Sequence, residues 1–265
     1  MKLIWLSDIH LEFLGAVQAR SFINEVVALK SDAVLITGDI SNARLLEFHL
    51  GLLAELLPCP VYFVLGNHDF YLGSFVQIDS LVKTMCSRYP NLIELGHGEL
   101  IRLGTDTVLI GHRGWADGRA GQGTRSRIRL NDSQYISDFR GLDAHQIFAL
   151  MNELGDDSAR YISEIMPKAY TESQNIIVAT HVPPFTEAAL YQNKPSDPAY
   201  APHFVNVAMG RAILECAKAH RHQSIAMLCG HTHHRAVYSP LANLRVDVAG
   251  AEYNDPKVAS VLTIP

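Results

Sequence analysis

The sequence lacks any long apolar run, and this absence excludes a protein anchored by a transmembrane helix. No uninterrupted apolar stretch approaches the roughly 20 residues that a membrane-spanning helix needs. At the N-terminus the apolar residues end at Ser7 and Asp8, too soon for the apolar core of a secretory signal peptide. We therefore expect a cytoplasmic protein with no membrane partner.

Cysteine is also scarce. Four cysteines are present, and no two of them have the spacing of a zinc site. A chain of 265 residues can bury a core that is stable without disulfide bonds. We expect reduced thiols, as in the cytoplasm. The four positions are Cys59, Cys86, Cys216 and Cys229.

The sequence also lacks an excess of positive charge. The formal net charge is -5, whereas binding to nucleic acid without regard to its sequence needs a basic surface. We therefore expect no role as a nucleic-acid scaffold. A small phosphate ester is still compatible as substrate, because bound metal ions would supply positive charge locally.

The most regular feature of the sequence is an alternation of short apolar runs with helical stretches. Continuous apolar strands between helices are typical of an α/β sheet covered on both faces. No repeat or linker interrupts the pattern, so we predict a single domain over residues 1–265, with a loop inserted at 113–142. The predicted strands are at 3–6, 33–36, 61–65, 100–103, 107–110, 176–179, 225–228, 236–238, 244–248 and 258–264, and the predicted helices at 17–29, 45–57, 144–166 and 207–219.

Five predicted strands end in Asp, Asn or His. The carboxyl ends of such strands lie along one edge of an α/β fold, so residues distant in sequence can meet there. Carboxylate and amide oxygens mixed with imidazoles suit manganese, iron or zinc, and their number exceeds the four ligands of a tetrahedral zinc. Two metal ions that share a carboxylate would use them all. The seven candidate ligands are Asp8, His10, Asp39, Asn67, His181, His231 and His233.

Taken singly, each cluster also fits a structural role. A carboxylate that follows a strand, as Asp8 and Asp39 do, is commonly a helix cap. The segment 66–69, Gly-Asn-His-Asp, also fits a turn. Five such clusters, all at strand ends, favour a shared metal centre over five unrelated structural residues.

These motifs resemble those of the calcineurin-like metallophosphoesterase family. The resemblance implies a four-layer α-β-β-α sandwich of two mixed sheets flanked by helices. It also implies two divalent metal ions, manganese being expected first and iron or zinc next, with Asp39 bridging them. Asp8, His10 and His233 would complete the first site, and Asn67, His181 and His231 the second. The matching segments are Asp8-Ile9-His10, Gly38-Asp39, Gly66-Asn67-His68-Asp69, His181 and Gly230-His231-Thr232-His233.

The activity that follows from this resemblance is hydrolysis of a phosphate ester. Two cations roughly 3.5–4 Å apart can activate a bridging hydroxide, which attacks phosphorus. His68 is not needed as a ligand, so we expect it to contact the phosphate or to protonate the leaving group. Asp69 is expected to orient the His68 ring, as a carboxylate does for a catalytic histidine.

The substrate is less well defined than the chemistry. The Asn67-His68 pair resembles that of cyclic-nucleotide phosphodiesterases and favours small phosphodiesters, with a phosphomonoesterase of broad specificity as the alternative. A non-catalytic scaffold is disfavoured because every matched position is present. A nuclease acting on DNA ends is disfavoured because the chain is short and acidic.

The loop at 113–142 is rich in glycine and arginine. Its arginines are interpreted first as facing water, and alternatively as lining a substrate pocket together with aromatic side chains. Three further histidines near the motifs, His112, His203 and His234, are interpreted as structural. The residues of the loop that are candidates for the pocket are Arg113, Trp115, Asn131, Tyr135 and Arg140.

Overall fold

A computed structural model describes residues 1–265 and shows two β-sheets that pack face to face. A two-stranded hairpin lies apart from both sheets. The strands are β1 (Lys2–Leu6), β2 (Ala33–Thr37), β3 (Val61–Val64), β4 (Leu92–Glu94), β5 (Ile101–Leu103), β6 (Thr107–Gly111), β7 (Asn175–Ala179), β8 (Leu190–Tyr191), β9 (Lys194–Pro195), β10 (Ser224–Cys229), β11 (Ala236–Leu241), β12 (Leu244–Val248) and β13 (Ser260–Thr263).

Both sheets are mixed. The first has the order β13-β1-β2-β3-β4, in which only β13 runs antiparallel to its neighbour. The second has the order β11-β12-β10-β7-β6-β5, with antiparallel pairs at its two edges and parallel pairs between them. The parallel central strands of each sheet therefore end at a common edge.

Six helices accompany the sheets, and none combines the length and hydropathy that crossing a lipid bilayer requires. The predicted helix at 144–166 continues to Glu172, through Pro167. The proline removes one N–H, but the buried face continues past it from Met166 to Ala169, so packing maintains the helix. The helices are α1 (Ala16–Ala28), α2 (Leu46–Leu56), α3 (Phe75–Arg88), α4 (Asp132–Tyr135), α5 (Ala144–Glu172) and α6 (Val207–Ala219).

The helix α3 and the strand β4 were not predicted. Ser74 caps α3 by accepting a hydrogen bond from the N–H of Gln77, and Ile78, Val82 and Met85 form its buried face. A cap followed by apolar residues at helical spacing is a readable signal. The strand β4 has only three residues, which is too short for a hydrophobic pattern to indicate it.

The alternation of side chains along β1 shows how the layers are built. Leu3 and Trp5 pack in the core between the sheets, whereas Ile4 and Leu6 pack against α1 to α3. The outer face of the second sheet is covered in the same way by α5 and α6, for example through Ile213. The predicted four-layer sandwich is therefore confirmed.

Candidate metal centre

The structure brings all seven predicted ligands to the edge where the parallel strands end. Asp8 and His10 follow β1, and Asp39 follows β2. Asn67 follows β3, and His181 follows β7. The remaining two ligands, His231 and His233, follow β10, so each sheet contributes part of the site.

The backbone at this edge is strained. Five of the seven ligands lie in the left-handed region, with φ between 40 and 71°. Residues other than glycine rarely adopt this conformation, which persists only where surrounding contacts impose it and which is concentrated at functional sites. The five are Asp8, His10, Asp39, His231 and His233.

Two motif glycines make room for the ligand carboxylates. A Cβ atom on Gly66 would lie 2.2 Å from Asp39 Oδ1, and one on Gly230 would lie 2.1 Å from Asp8 Oδ2. Neither distance is sterically allowed. The glycines are therefore required because a carboxylate occupies the position of their missing side chains.

The first group of ligands, which we call the Asp8 group, consists of Asp8, His10, Asp39 and His233. Nε2 of His10 lies 3.1 Å from Nε2 of His233 and 3.6 Å from Oδ2 of Asp39. Nε2 of His233 lies 3.5 Å from Oδ1 of Asp8. Two imidazole nitrogens and two carboxylate oxygens thus converge, which is a suitable donor set for a divalent transition metal.

The second group, which we call the Asn67 group, consists of Asp39, Asn67, His181 and His231. Nδ1–H of His181 donates to the carbonyl oxygen of Thr37, and Nε2–H of His231 donates to that of His203, each at a distance of 2.9 Å. Because a carbonyl only accepts, Nε2 of His181 and Nδ1 of His231 carry lone pairs when the rings are neutral.

These lone pairs point at one another. Nε2 of His181 and Nδ1 of His231 are 3.2 Å apart, and Oδ1 of Asn67 lies 3.1 Å and 3.0 Å from them. Three acceptors at such distances repel unless positive charge lies among them. The Asn67 group therefore fits a cation.

The electrostatics of His181 support the same conclusion. Burial lowers the pKa of this ring, but the carboxylates of Asp39 and Asp8 outweigh burial and raise the pKa to about 10. Positive charge at Nε2 is therefore favoured, and a metal ion can replace the proton there. Burial and the neighbouring His181 lower the pKa of His231 to about 4, so this ring is neutral and able to bind a metal at pH 7.

Asp39 faces both groups. Its Oδ2 lies 3.6 Å from Nε2 of His10, and its Oδ1 lies 3.4 Å from Nε2 of His181. Burial acts to raise the pKa of Asp39, but the surrounding histidines, His181 and His68 foremost, hold it well below its usual value. An ionised carboxylate with one oxygen toward each group fits the bridging position.

Asn67 is oriented by a residue of the inserted loop. Its Nδ2 donates to Oδ1 of Asp132 over 2.9 Å and to the hydroxyl of Tyr71 over 3.3 Å. The Tyr71 hydroxyl in turn donates to the same oxygen of Asp132 over 2.7 Å. These contacts direct Oδ1 of Asn67 toward His181 and His231, as hydrogen bonds from outside the ligand set do in metal sites. Asp132 lies in no motif, so the sequence offered no signal for it.

Glu12 is a second residue that the sequence reasoning missed. Its Oε1 lies 3.2 Å from Nδ1 of His10 and 3.5 Å from Nδ1 of His68, and its Oε2 is buried without a partner. It therefore links a metal ligand to the predicted catalytic histidine. The signal was available, because Glu12 continues the spacing of two that joins Asp8 to His10.

The predicted contact between Asp69 and His68 is wrong. Oδ1 of Asp69 accepts hydrogen bonds from the N–H groups of Ile40 and Ser41, over 2.9 and 2.8 Å, and Oδ2 accepts from Gly66 over 2.8 Å. The 3₁₀ turn over residues 68–70 directs this side chain back toward the loop that carries Asp39. Asp69 thus fixes the backbone around the bridging ligand, and Glu12 takes the place beside His68.

The candidate pocket residues of the 113–142 loop divide into two classes. Trp115 is buried and stacks on Phe139, so it is not free to stack on a base. Arg113 pairs with Asp79 over 2.8 Å. Arg140 is exposed and donates to a backbone carbonyl. The other two candidates are near the ligands: Asn131 lines the cleft described below, and the ring of Tyr135 lies 5.4 Å from that of Tyr71.

The side chains of the three histidines interpreted as structural have partners outside the ligand groups. His112 pairs with Asp157 over 3.3 Å, and Nδ1 of His234 contacts the carbonyl oxygen of Thr232. His203 is closer to the centre, since its carbonyl oxygen accepts the hydrogen bond from His231.

A cleft of about 410 Å³ opens above the ligands. His68 lies in its floor, and its ring stacks on Tyr71 at 4.2 Å. Burial lowers the pKa of His68, but the carboxylates of Asp39 and Glu12 outweigh burial and raise it above its usual value. Further aromatic side chains of the walls are Tyr191, Phe204 and Tyr253.

Comparison with known proteins agrees with this architecture. An uncharacterised protein of Acanthamoeba polyphaga mimivirus is 24% identical over 250 residues, which cover 88% of this chain and 85% of the viral protein. The phosphopantetheinyl hydrolase PptH of Mycobacterium tuberculosis superposes with a TM-score of 0.66 at 15% identity, covering 95% of this chain and 89% of that one. A dimetal phosphatase from Danio rerio gives 0.59 at 11% identity, covering 94% and 87%.

The family model for calcineurin-like phosphoesterases matches residues 1–235. This range includes both ligand groups, with His233 near its end. The resemblance drawn from the motifs is confirmed. The chain therefore belongs to the calcineurin-like phosphoesterase family and is a metal-dependent phosphoesterase.

Proposed function

We propose that this protein hydrolyses small phosphodiesters with two divalent cations, manganese being preferred, held by the Asp8 group and the Asn67 group. The observation that carries the proposal is the convergence of two sets of donors on the two oxygens of Asp39. Such a pair of cations supplies a hydroxide nucleophile near neutral pH and neutralises charge on the phosphate oxygens.

Three further residues would take the remaining roles in binding and catalysis. His68 is placed to donate a hydrogen bond to the phosphate, or a proton to the leaving alcohol, because it lies in the cleft and its pKa is raised. Glu12 would hold the His68 ring through Nδ1 and leave Nε2 for the substrate. Asp69 would act indirectly, by fixing the loop around Asp39.

The preference for diesters rests on the Asn67-His68 pair and on the aromatic walls of the cleft, which suit a substrate with an organic group on both sides of phosphorus. A phosphomonoesterase of broad specificity is the alternative. We propose further that residues 1–265 act as one catalytic domain, since both sheets contribute ligands. The four free cysteines fit a cytoplasmic location.

The test is turnover of metal-stripped protein after addition of manganese, zinc or iron(II), with bis(p-nitrophenyl) phosphate and p-nitrophenyl phosphate in parallel. We expect two metal ions per chain by elemental analysis and faster turnover of the diester, with manganese the most active. Asp39→Asn should abolish both turnover and binding of the second ion. Preference for the monoester would support the alternative. Two bound ions without turnover of either ester would contradict the proposal.

A further inference from the structure

Residues 126–131, which we call the rim segment, lead to the metal cleft, which the last three of them line. The segment is anchored at its start, where the hydroxyl of Ser126 donates to the carbonyl oxygen of Ala199 over 2.5 Å. In its middle, Nε2–H of His203 donates to the carbonyl oxygen of Ile128 over 3.1 Å. The segment leads directly into α4, whose first residue is Asp132.

Two of these anchors also hold metal ligands. The carbonyl oxygen of His203 accepts from His231, and Asp132 accepts from Asn67. The rim segment is therefore tied on both sides to the Asn67 group, and a side chain between the two anchors has a defined position relative to the metal centre.

Arg129 is that side chain. It lines the cleft together with Asp39, His68 and His233, it is exposed, and its guanidinium has neither a carboxylate partner nor a hydrogen bond. In the 113–142 loop, Arg113 and Arg119 pair with carboxylates, and Arg140 donates to a backbone carbonyl. Of the three remaining arginines of the loop, Arg125, Arg127 and Arg129, only Arg129 lines the cleft. An unpaired guanidinium at the mouth of a cleft, in a chain with a net charge of -5, is a suitable binding group for an anion.

The alternation along the rim segment explains why this arginine faces outward. Ser126 is buried and Ile128 and Leu130 are half-buried, whereas Arg127 and Arg129 are exposed. Packing of the two apolar side chains thus leaves the guanidinium of Arg129 exposed, at the point where the segment lines the cleft.

We propose that Arg129 binds a second phosphate group of the substrate, carried by the ester group rather than by the scissile phosphate. This inference rests on the proposed function, because it takes the scissile phosphate to lie over Asp39. The aromatic side chains of the cleft, Tyr253 among them, offer ring faces to the organic group that joins the two phosphates. The substrate class is thereby a small nucleotide-like ester with at least two phosphate groups.

The experiment compares two ligands that differ by one phosphate, adenosine 3′,5′-bisphosphate and adenosine 5′-monophosphate, as inhibitors of bis(p-nitrophenyl) phosphate turnover. For the manganese-loaded wild type, we expect about tenfold tighter inhibition by the bisphosphate, the effect of one charge-assisted contact. Arg129→Ala should bring the ratio of the two inhibition constants close to one, and Arg129→Lys should restore part of it.

Arg125→Ala is the matched control, because Arg125 is an exposed arginine of the same loop that does not line the cleft. It should keep the wild-type ratio. Equal inhibition of the wild type by both ligands, or an unchanged ratio in Arg129→Ala, would overturn the inference. If the wild type does not turn over the diester, the proposed function fails, and calorimetric affinities of the same two ligands then decide the role of Arg129 independently.

Discussion

In the Asp8 group, the ligand His10 is supported by a carboxylate two residues along the chain. In the Asn67 group, the three ligands that are not shared, Asn67, His181 and His231, each contact a supporting residue 28 or more positions away. Glu12 contacts Nδ1 of His10. In the other group, His181 depends on the carbonyl oxygen of a residue 144 positions away. Asn67 depends on Asp132, which is 65 positions away.

This difference shows how two similar ligand sets can differ in their sensitivity to changes in the loops that support them. A locally supported ligand retains its neighbour as long as the loop after β1 keeps its shape. A ligand supported from the inserted loop loses its orientation when that loop moves. We therefore expect changes in the 113–142 loop to affect the Asn67 group first.

The largest effect should come from Gly66→Ala, because this substitution displaces Asp39, the ligand that both groups share. The new Cβ would lie 2.2 Å from Oδ1 of Asp39 and 2.8 Å from Cε1 of His181, so the bridging carboxylate has to move. We expect a loss of more than about 100-fold in kcat, by analogy with misplacement in other active sites, and fewer than two metal ions per chain.

The control is Gly250→Ala, because a Cβ there would meet its nearest neighbour at an ordinary 3.5 Å. It should leave kcat and metal content unchanged. Normal activity and two bound ions in Gly66→Ala would show that Asp39 can be displaced without loss of either metal ion. Asp39 would then not be the ligand that couples the two groups.

Glu12→Gln should affect the Asp8 group. The amide keeps the size of the side chain but removes the charge that faces Nδ1 of His10 and of His68. We expect a 10- to 100-fold lower kcat, roughly the effect of losing an outer carboxylate. Comparing phenyl esters of rising leaving-group pKa separates the two contacts. A loss that grows with the pKa indicates His68, and a uniform loss with weaker metal binding indicates His10.

Asp132→Asn should affect the Asn67 group instead. Oδ1 of Asp132 accepts from both Asn67 and Tyr71, and the neutral amide oxygen of asparagine would accept from these two donors less strongly than the carboxylate does. We expect a roughly 10-fold weaker affinity for one of the two metal ions, measured by titration calorimetry. Gln134→Ala, in the same short helix but exposed, is the control. An equal weakening of both ions would contradict independent support of the groups.

The smallest effect concerns stability rather than catalysis. His49 is buried against Ser41, in the loop after β2, and burial lowers its pKa to about 4. A base whose pKa is lowered in the folded state contributes stability at pH values above its unfolded pKa of about 6.5. This contribution is lost as the pH falls toward 4.

For metal-free protein, the free energy of unfolding should therefore fall by up to about 1.4 kcal/mol per pH unit in this window through His49 alone. His49→Asn, which keeps a hydrogen-bonding group near Ser41, should reduce that slope. Urea unfolding of both proteins at pH 7, 6, 5 and 4 measures it. Parallel curves for the two proteins would show that His49 does not titrate on unfolding.

The sequence by itself determined the alternation of strands and helices, the edge at which the ligands meet, and the identity of the seven ligand candidates. These are consequences of local pattern: apolar runs define the strands, and the polar residues that follow them lie at the strand ends. Asp8, Asp39 and His181 could be named in this way without knowing which strands were neighbours.

Apart from Glu12, whose spacing from His10 is a readable signal, the side chains that support those ligands were decided by the tertiary structure. The sequence placed Asp69 next to His68, but a 3₁₀ turn separates the two side chains and Glu12 takes that position. Asp132 contacts Asn67, and Arg129 lines the cleft, only because the inserted loop folds back to this edge of the sheets. Contacts of this kind depend on the three-dimensional path of a loop, and no periodicity in the sequence encodes that path.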